Sequence, residues 1–411
     1  MKQTEKFVKT LTIAACLVSM AILSIAIYLS CRLPDEFYLH KGDRLSLGSS
    51  IVTSARPFEM ASPAEKAPDT QKTRAELAIF GLIPLKEVDI NYIDDIMVVP
   101  CGNAFGVKMF TDGVIVVGTG KVDGENGLVN PADIAGIRLG DVIVSIDGQK
   151  MSKNEQVGEI ISQSGGRKMV FIIRRNGAEF SLVLCPVRSL YDQAYRGGLW
   201  VRDSSAGIGT MTYFNKSSGT FGGLGHPICD VETGEILPLM SGEIVEVDIN
   251  GVKKGANGAP GELRGTFSKN GAEGILLLNT ETGVFGTLDI NPGGHEEVPL
   301  GLRQEIQEGA ATILCTIDGE GPKEYAINIE KVDLTGASPT KNMVLRITDP
   351  VLLERTGGIV QGMSGSPILQ GGKLIGAVTH VFVNDSAKGY GIFAENMIRT
   401  AAQLEKTGVY S

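Results

Sequence analysis

Apolar and polar positions change their rhythm several times along the chain. From Thr10 to Cys31 no residue is charged, a run close to the ~20 residues a helix needs to cross a bilayer. Lys2, Lys6 and Lys9 precede it, with Glu5 among them. Basic flanks stay on the cytoplasmic side, so the rest of the chain should face outward. Tyr28-Leu29-Ser30-Cys31-Arg32 is a poor cleavage site, which favours an uncleaved single-span anchor over a signal peptide. We therefore expect a cytoplasmic N-terminus over residues 1–9 and a signal anchor over 10–31. Residues 32–76 read as a linker, because Leu45 to Ser50, Pro57, Pro63 and Pro68 interrupt any regular element. Such a stretch would be open to proteolysis.

Beyond residue 77 the runs become short and are punctuated by glycine. Gly106 to Met109 and Val114 to Gly118 read as strands, and Pro131 to Ala135 as a short helix. Gly140-Asp141 turns into an apolar strand, and Asp147-Gly148 is a hairpin signal. A helix over 154–163 and strands over 169–174 and 179–184 complete a unit, placed at 77–188. The remaining residues, 189–411, contain many short strands. Met397, Ala401 and Leu404 are spaced as one face of a terminal helix. The fold class expected is mainly β, with a β-barrel domain of one or two closed sheets after the smaller unit.

Composition sharpens this picture. Glycine supplies 53 of 411 residues, well above the usual ~7%, while aromatics are only 6%; that is a turn-rich β protein. The net charge of −9 offers no polycationic surface for nucleic acid. The six cysteines show no CxxC or metal spacing, and no HExxH or His/Cys cluster occurs, so neither a metal nor another cofactor is expected. We predict no disulfide pairing and read the cysteines as small apolar residues.

The sharpest chemical feature is Gly362-Met363-Ser364-Gly365-Ser366-Pro367. A serine between tight glycine turns can present its Oγ on a stiff loop. The amides of Gly362 and Ser364 can then converge on one point, as an oxyanion hole requires. A serine nucleophile needs a base. Of His40, His226, His295 and His380, the best placed is His226, in the Gly-dense turn Phe221 to Pro227; His380, on the strand after the serine loop, is its rival. A third group must orient the base. Asp349, before Pro350, is the first choice, and the hydroxyl of Thr379 is the alternative.

Two resemblances follow from these residues. Ala135 to Gly148 resembles the signature of PDZ domains, which implies peptide binding by strand addition at a sheet edge. Cys101 to Gly106 occupies the place of that family's carboxylate loop, so Gly102, Phe105 and Gly106 are the implied peptide-binding residues, though the segment departs from the usual Gly-Leu-Gly-Phe. Gly362 to Pro367 followed by Gly376-Ala377-Val378-Thr379 resembles the nucleophile loop and next strand of chymotrypsin-like serine peptidases. Met363 stands where that family has the aspartate that pairs with a freed N-terminus, so such an ion pair should not switch this protein on. Quality-control proteases of the HtrA type place PDZ modules after the protease, the reverse of the order here.

The joint occurrence of an anchor, a PDZ signature, Gly225-His226-Pro227, Gly357 to Pro367 and Gly376 to Phe382 is similar to the stage IV sporulation protein B peptidases of endospore-forming bacteria. That resemblance implies a serine endopeptidase crossing from the forespore into the space facing the mother cell. It would cleave itself and then a membrane-embedded regulator of an intramembrane protease, leading to sigma-factor processing. It implies His226 as base, Ser364 as nucleophile and Asp349 as acid. Self-cleavage would fall between about Arg44 and Arg74. The rival reading is a non-catalytic, membrane-tethered PDZ scaffold with a degenerate peptidase fold.

Overall fold

In the computed structural model, which describes residues 2–41, 43, 45, 47, 52–53, 72–80, 83–256, 258–289, 292 and 294–406, the uninterrupted apolar run lies within one helix, Lys2–Arg32. Leu11, Ile13, Leu17, Ile22 and Ile27 of this helix are exposed, and only near its end does Leu29 pack against the core of the small sheet that follows. Its Thr10–Arg32 stretch is long and apolar enough to cross a bilayer.

The helix leads into a small sheet rather than a linker. Strand Glu36–His40 pairs in parallel with Ile83–Ile93, which pairs antiparallel with Lys72–Ile79. Phe37, Leu39, Ala75, Leu77, Val88 and Ile90 share one buried cluster. Each pair is two residues apart on its strand, so both side chains face the same side of the sheet. This alternation was legible in the sequence and outweighs the prolines, which lie between the strands. Most of the expected self-cleavage stretch, 44–74, lies outside the described residues.

Two barrels make up the bulk of the molecule. The first runs through Ala104–Thr119, Leu239–Lys253, Glu262–Thr280, Gly283–Leu288, Thr220–Gly223 and Leu199–Asn215, and closes where the last pairs with the first. Gly106 sits at the seam, opposite Ile208 on one side and Val245 on the other. The second barrel is closed by Gly309–Cys315, Lys323–Val332, Met343–Ile347, Asp385–Phe393, Lys373–Phe382 and Pro367–Gln370. Its core includes Ile313, Ile329, Leu345, Met363 and Phe393. Helix Ala394–Lys406 buries Met397 in one cluster with the first barrel's Phe285 and the second barrel's Ile392.

The smaller module grows out of two long strands of the first barrel. Strand Ala104–Thr119 is barrel in its first half. At Gly113, with φ +101 and no room for a Cβ beside Val142, it leaves the barrel. Val114 then pairs with Ile143 of strand Val142–Ile146, beside Met169–Arg175 and Ala178–Leu184. Val114, Val116, Ile143, Phe171, Val157 and Ile161 are buried together there, the last two on helix Asn154–Ser162. The Gly140-Asp141 turn is fixed by Arg175, whose Nε and Nη2 reach the buried Asp141 carboxylate at 2.6 and 2.7 Å.

The chain returns through Leu199–Asn215, which is module at its start and barrel at its end. The strand pairing therefore has no seam between residues 188 and 189. A barrel strand precedes the module, and the module sits within the first barrel's sequence.

Candidate active-site groove

The serine loop is placed by contacts on both barrels. Helix Pro350–Thr356 ends on Gly357 in the left-handed region, φ +72, and the chain then crosses toward the first barrel. At Gly365, φ +97, a Cβ would lie 1.9 Å from the carbonyl oxygen of Thr210. Only glycine lets the loop lie this close to that strand. Ser364 is half-buried, and its Oγ donates to the carbonyl of Thr379 at 2.7 Å.

His226 arrives from the first barrel. The turn before it is tight: Leu224 has φ +63 and is buried, and Gly225 has φ +68. A leucine in the left-handed region is costly and persists only where its surroundings fix it; here the Leu224 amide donates to Thr210. His226 Nδ1 lies 2.8 Å from the carbonyl of Pro227. A carbonyl only accepts, so this bond puts the proton on Nδ1 and leaves the Nε2 lone pair free, the tautomer a general base needs. Burial lowers the His226 pKa below its ordinary value.

The His380 ring lies over His226 with centroids 4.8 Å apart. Burial, with the neighbouring His226 and Lys341 charges, takes His380 down to about 4. Both imidazoles are thus neutral near pH 7. A groove of about 580 Å³ is lined by His226, Ser364, Gly362, Thr379 and His380, together with Ser205 to Gly209 of the long barrel strand.

The expected orienting groups lie elsewhere. Asp349 caps helix Pro350–Thr356: its Oδ1 accepts from Val351 N at 2.9 Å and Leu352 N at 3.0 Å. Asp-Pro is the signature of an N-cap followed by proline at N1, and that local role claims the carboxylate. Thr379 is buried, and its hydroxyl donates to the carbonyl of Thr340 at 3.0 Å instead of meeting an imidazole. The bond that His226 makes is to its own neighbour, Pro227. Among the described residues lining the groove, none carries a carboxylate.

The expected peptide-binding residues are also displaced. Gly102 packs on Leu314 of the second barrel, Phe105 is buried in the first barrel's core, and Gly106 has a strand on each side. No sheet edge is open there. The module's groove, about 450 Å³, lies instead between helix Asn154–Ser162 and the start of strand Leu199–Asn215. Val157, Ile161, Leu199 and Val201 line it, with Gly197 and Gly198 at one end. Among the described strands, the edge from Leu199 to Gly209 that faces away from Ala104–Thr119 has no partner. Gly197-Gly198-Leu199 was the local signal for this, a glycine pair leading into an apolar strand.

Two six-stranded barrels, a serine on a glycine-framed loop and a histidine facing the same groove define a chymotrypsin-like serine peptidase that carries a PDZ module. The SpoIVB peptidase S55 family matches residues 193–398, about half of the chain, and the PDZ family matches residues 130–175. The chain belongs to the SpoIVB peptidase S55 family. Among solved structures it is similar to the active form of the Rv3671c protease from M. tuberculosis, at 14% identity and a TM-score of 0.27 over 50% of this chain and 75% of that one. It is also similar to the HtrA-type protease AlgW with a tripeptide, at 15% identity and a TM-score of 0.30 over 50% of this chain and 57% of that one. No curated protein sequence matches.

Proposed function

We propose that His226 and Ser364 carry out the peptidase chemistry of this chain. His226 Nε2 takes the Oγ proton as Oγ bonds to the carbonyl carbon of the scissile peptide. The amides of Gly362 and Ser364 receive the oxyanion. The imidazolium passes its proton to the leaving amine, the C–N bond breaks, and water, deprotonated by the same imidazole, hydrolyses the acyl ester. The carrying observation is that Ser364, Gly362 and His226 line one groove. The Ser364 hydroxyl, bonded to Thr379, must turn from that carbonyl to the imidazole when substrate enters. Orientation of His226 by the Pro227 carbonyl replaces the carboxylate expected from Asp349.

The family supports a finer reading. The chain is anchored by its N-terminal helix with the peptidase outside the cytoplasm, in the space between forespore and mother cell. It cleaves itself within 44–74 and then a membrane-embedded regulator of an intramembrane protease. The PDZ groove beside Leu199 docks an extended segment of those substrates by strand addition.

The test uses the full chain in detergent or vesicles. A fluorophosphonate should label Ser364, as mapped by peptide mass spectrometry, and Ser364→Ala should end both labelling and self-cleavage while keeping the thermal transition. N-terminal sequencing of the released form locates the cut. The turned-away Ser364 hydroxyl is what would favour a non-catalytic scaffold; an unlabelled Ser364 in the wild-type chain would establish that reading instead.

A further inference from the structure

Every carbonyl of the serine loop is held by a donor. That of Gln361 accepts from Leu263 N at 2.8 Å, and that of Gly362 from Thr210 Oγ1 at 2.7 Å. That of Met363 accepts from Ser366 N at 3.0 Å and Ser366 Oγ at 2.6 Å. Ser364 O takes Thr210 N at 2.9 Å, and Gly365 O takes Thr212 Oγ1 at 2.7 Å. The three hydroxyl residues are fully buried. Their hydroxyls therefore have no water to compete for them and stay committed to these carbonyls.

In a trans peptide the C=O and the following N–H point in opposite directions. Holding Met363 O against the body of the loop therefore turns Ser364 N–H the other way. Holding Gln361 O on the strand that begins at Glu262 does the same for Gly362 N–H. These two amides are the donors the oxyanion needs. The side chain of Met363, between them, is packed in the second barrel's core and provides no charge to lock the loop.

We infer that Ser366 and Thr210 are positioning residues for the oxyanion hole: the buried Ser366 hydroxyl fixes the Met363–Ser364 peptide from within the loop, and Thr210 anchors the loop from the first barrel, its hydroxyl on the Gly362 carbonyl and its backbone N–H on the Ser364 carbonyl. The loop is set by neutral hydrogen bonds already present in the uncut chain. Thr210 lies on Leu199–Asn215, the strand whose other end borders the PDZ groove. This inference rests on Ser364 being the nucleophile.

The experiment measures Ser366→Ala, Thr210→Val, and the hydroxyl-retaining Ser366→Thr and Thr210→Ser, all in the full chain. The readouts are kcat and KM on one peptide, the affinity of a peptide aldehyde, which forms an oxyanion on the enzyme, and the rate of fluorophosphonate labelling. Removing a hydroxyl should lower kcat and aldehyde affinity together by about ten- to a hundredfold, below the ~10²–10³ for losing a donor outright, with KM within about twofold. The hydroxyl-retaining variants should hold kcat near wild type. The inference is overturned if Ser366→Ala and Thr210→Val keep kcat and aldehyde affinity within threefold. It is equally overturned if each hydroxyl-retaining variant loses as much as its partner, since packing would then be the cause. A wild-type chain whose Ser364 resists the fluorophosphonate refutes the nucleophile assignment itself, a different result from either.

Discussion

Replacing Gly365 by alanine should disable the groove without touching a reacting atom. At this position the new Cβ would sit 1.9 Å from Thr210 O and 2.5 Å from Leu224 N, whereas a carbon and an oxygen come no closer than about 3.3 Å. The loop must therefore retreat by more than an ångström. Three hydrogen bonds are in its path: Thr210 N to Ser364 O at 2.9 Å, Gly365 N to Val378 O at 2.7 Å, and Thr212 Oγ1 to Gly365 O at 2.7 Å. Each contributes about 0.5–1.5 kcal/mol, and the positive φ adds roughly 1–2 kcal/mol for any residue with a Cβ. The expected destabilisation is about 2.5–6.5 kcal/mol if all three bonds are lost, and a displacement of about 1 Å in a reacting group costs on the order of 100-fold in rate. The assay is kcat/KM on a peptide, with denaturant unfolding alongside. Gly219→Ala is the control, since Gly219 has φ +67 but nothing within 4 Å of a Cβ; it should cost about 1 kcal/mol and leave turnover unchanged. A Gly365→Ala chain that keeps kcat/KM within threefold of wild type would show that the loop is not seated against Thr210 as described.

Other predictions concern charge and capping. Because burial depresses His226 and His380, the base stays neutral below its ordinary pKa, and the acid limb of kcat/KM should fall below pH 6.5. The unfolded chain takes up these protons first, so their contribution to stability is complete above about 6.5 and declines as pH drops toward about 4, where His380 titrates; unfolding midpoints measured from pH 7 to 4 check the sign. In His226→Gln the His380 titration followed by NMR should move up, since the neighbouring charge is gone. Asp349→Ala should lose about 1 kcal/mol through the lost cap, while Asp349→Asn, which keeps a side-chain acceptor, should recover most of it; thermal melts compare the two. Asp141→Ala leaves Arg175 without its carboxylate, and because Arg175 is only 26% exposed the cost should be about 3 kcal/mol, read by denaturant unfolding.

What sequence alone made legible was local. The nucleophile loop, the His226 turn, the apolar helix and the Gly140-Asp141 turn are each set by neighbours a few residues away, so glycine spacing and hydropathy expose them. The Asp349-Pro350 cap is equally local, since an aspartate followed by proline marks a helix start, and nearness in sequence to the serine loop does not bring its carboxylate into the groove. Only the tertiary structure decided the rest. Whether Gly106 lies at an open edge depends on strands some 100 and 140 residues downstream, opposite Ile208 and Val245, and no local pattern encodes a pairing partner. The same non-local pairing makes Ala104–Thr119 and Leu199–Asn215 common to the barrel and the PDZ module, and brings Thr210 under the serine loop and His380 over His226. Strand-forming patterns specify that a residue will pair and which face it buries; the partner is chosen by how the whole core closes.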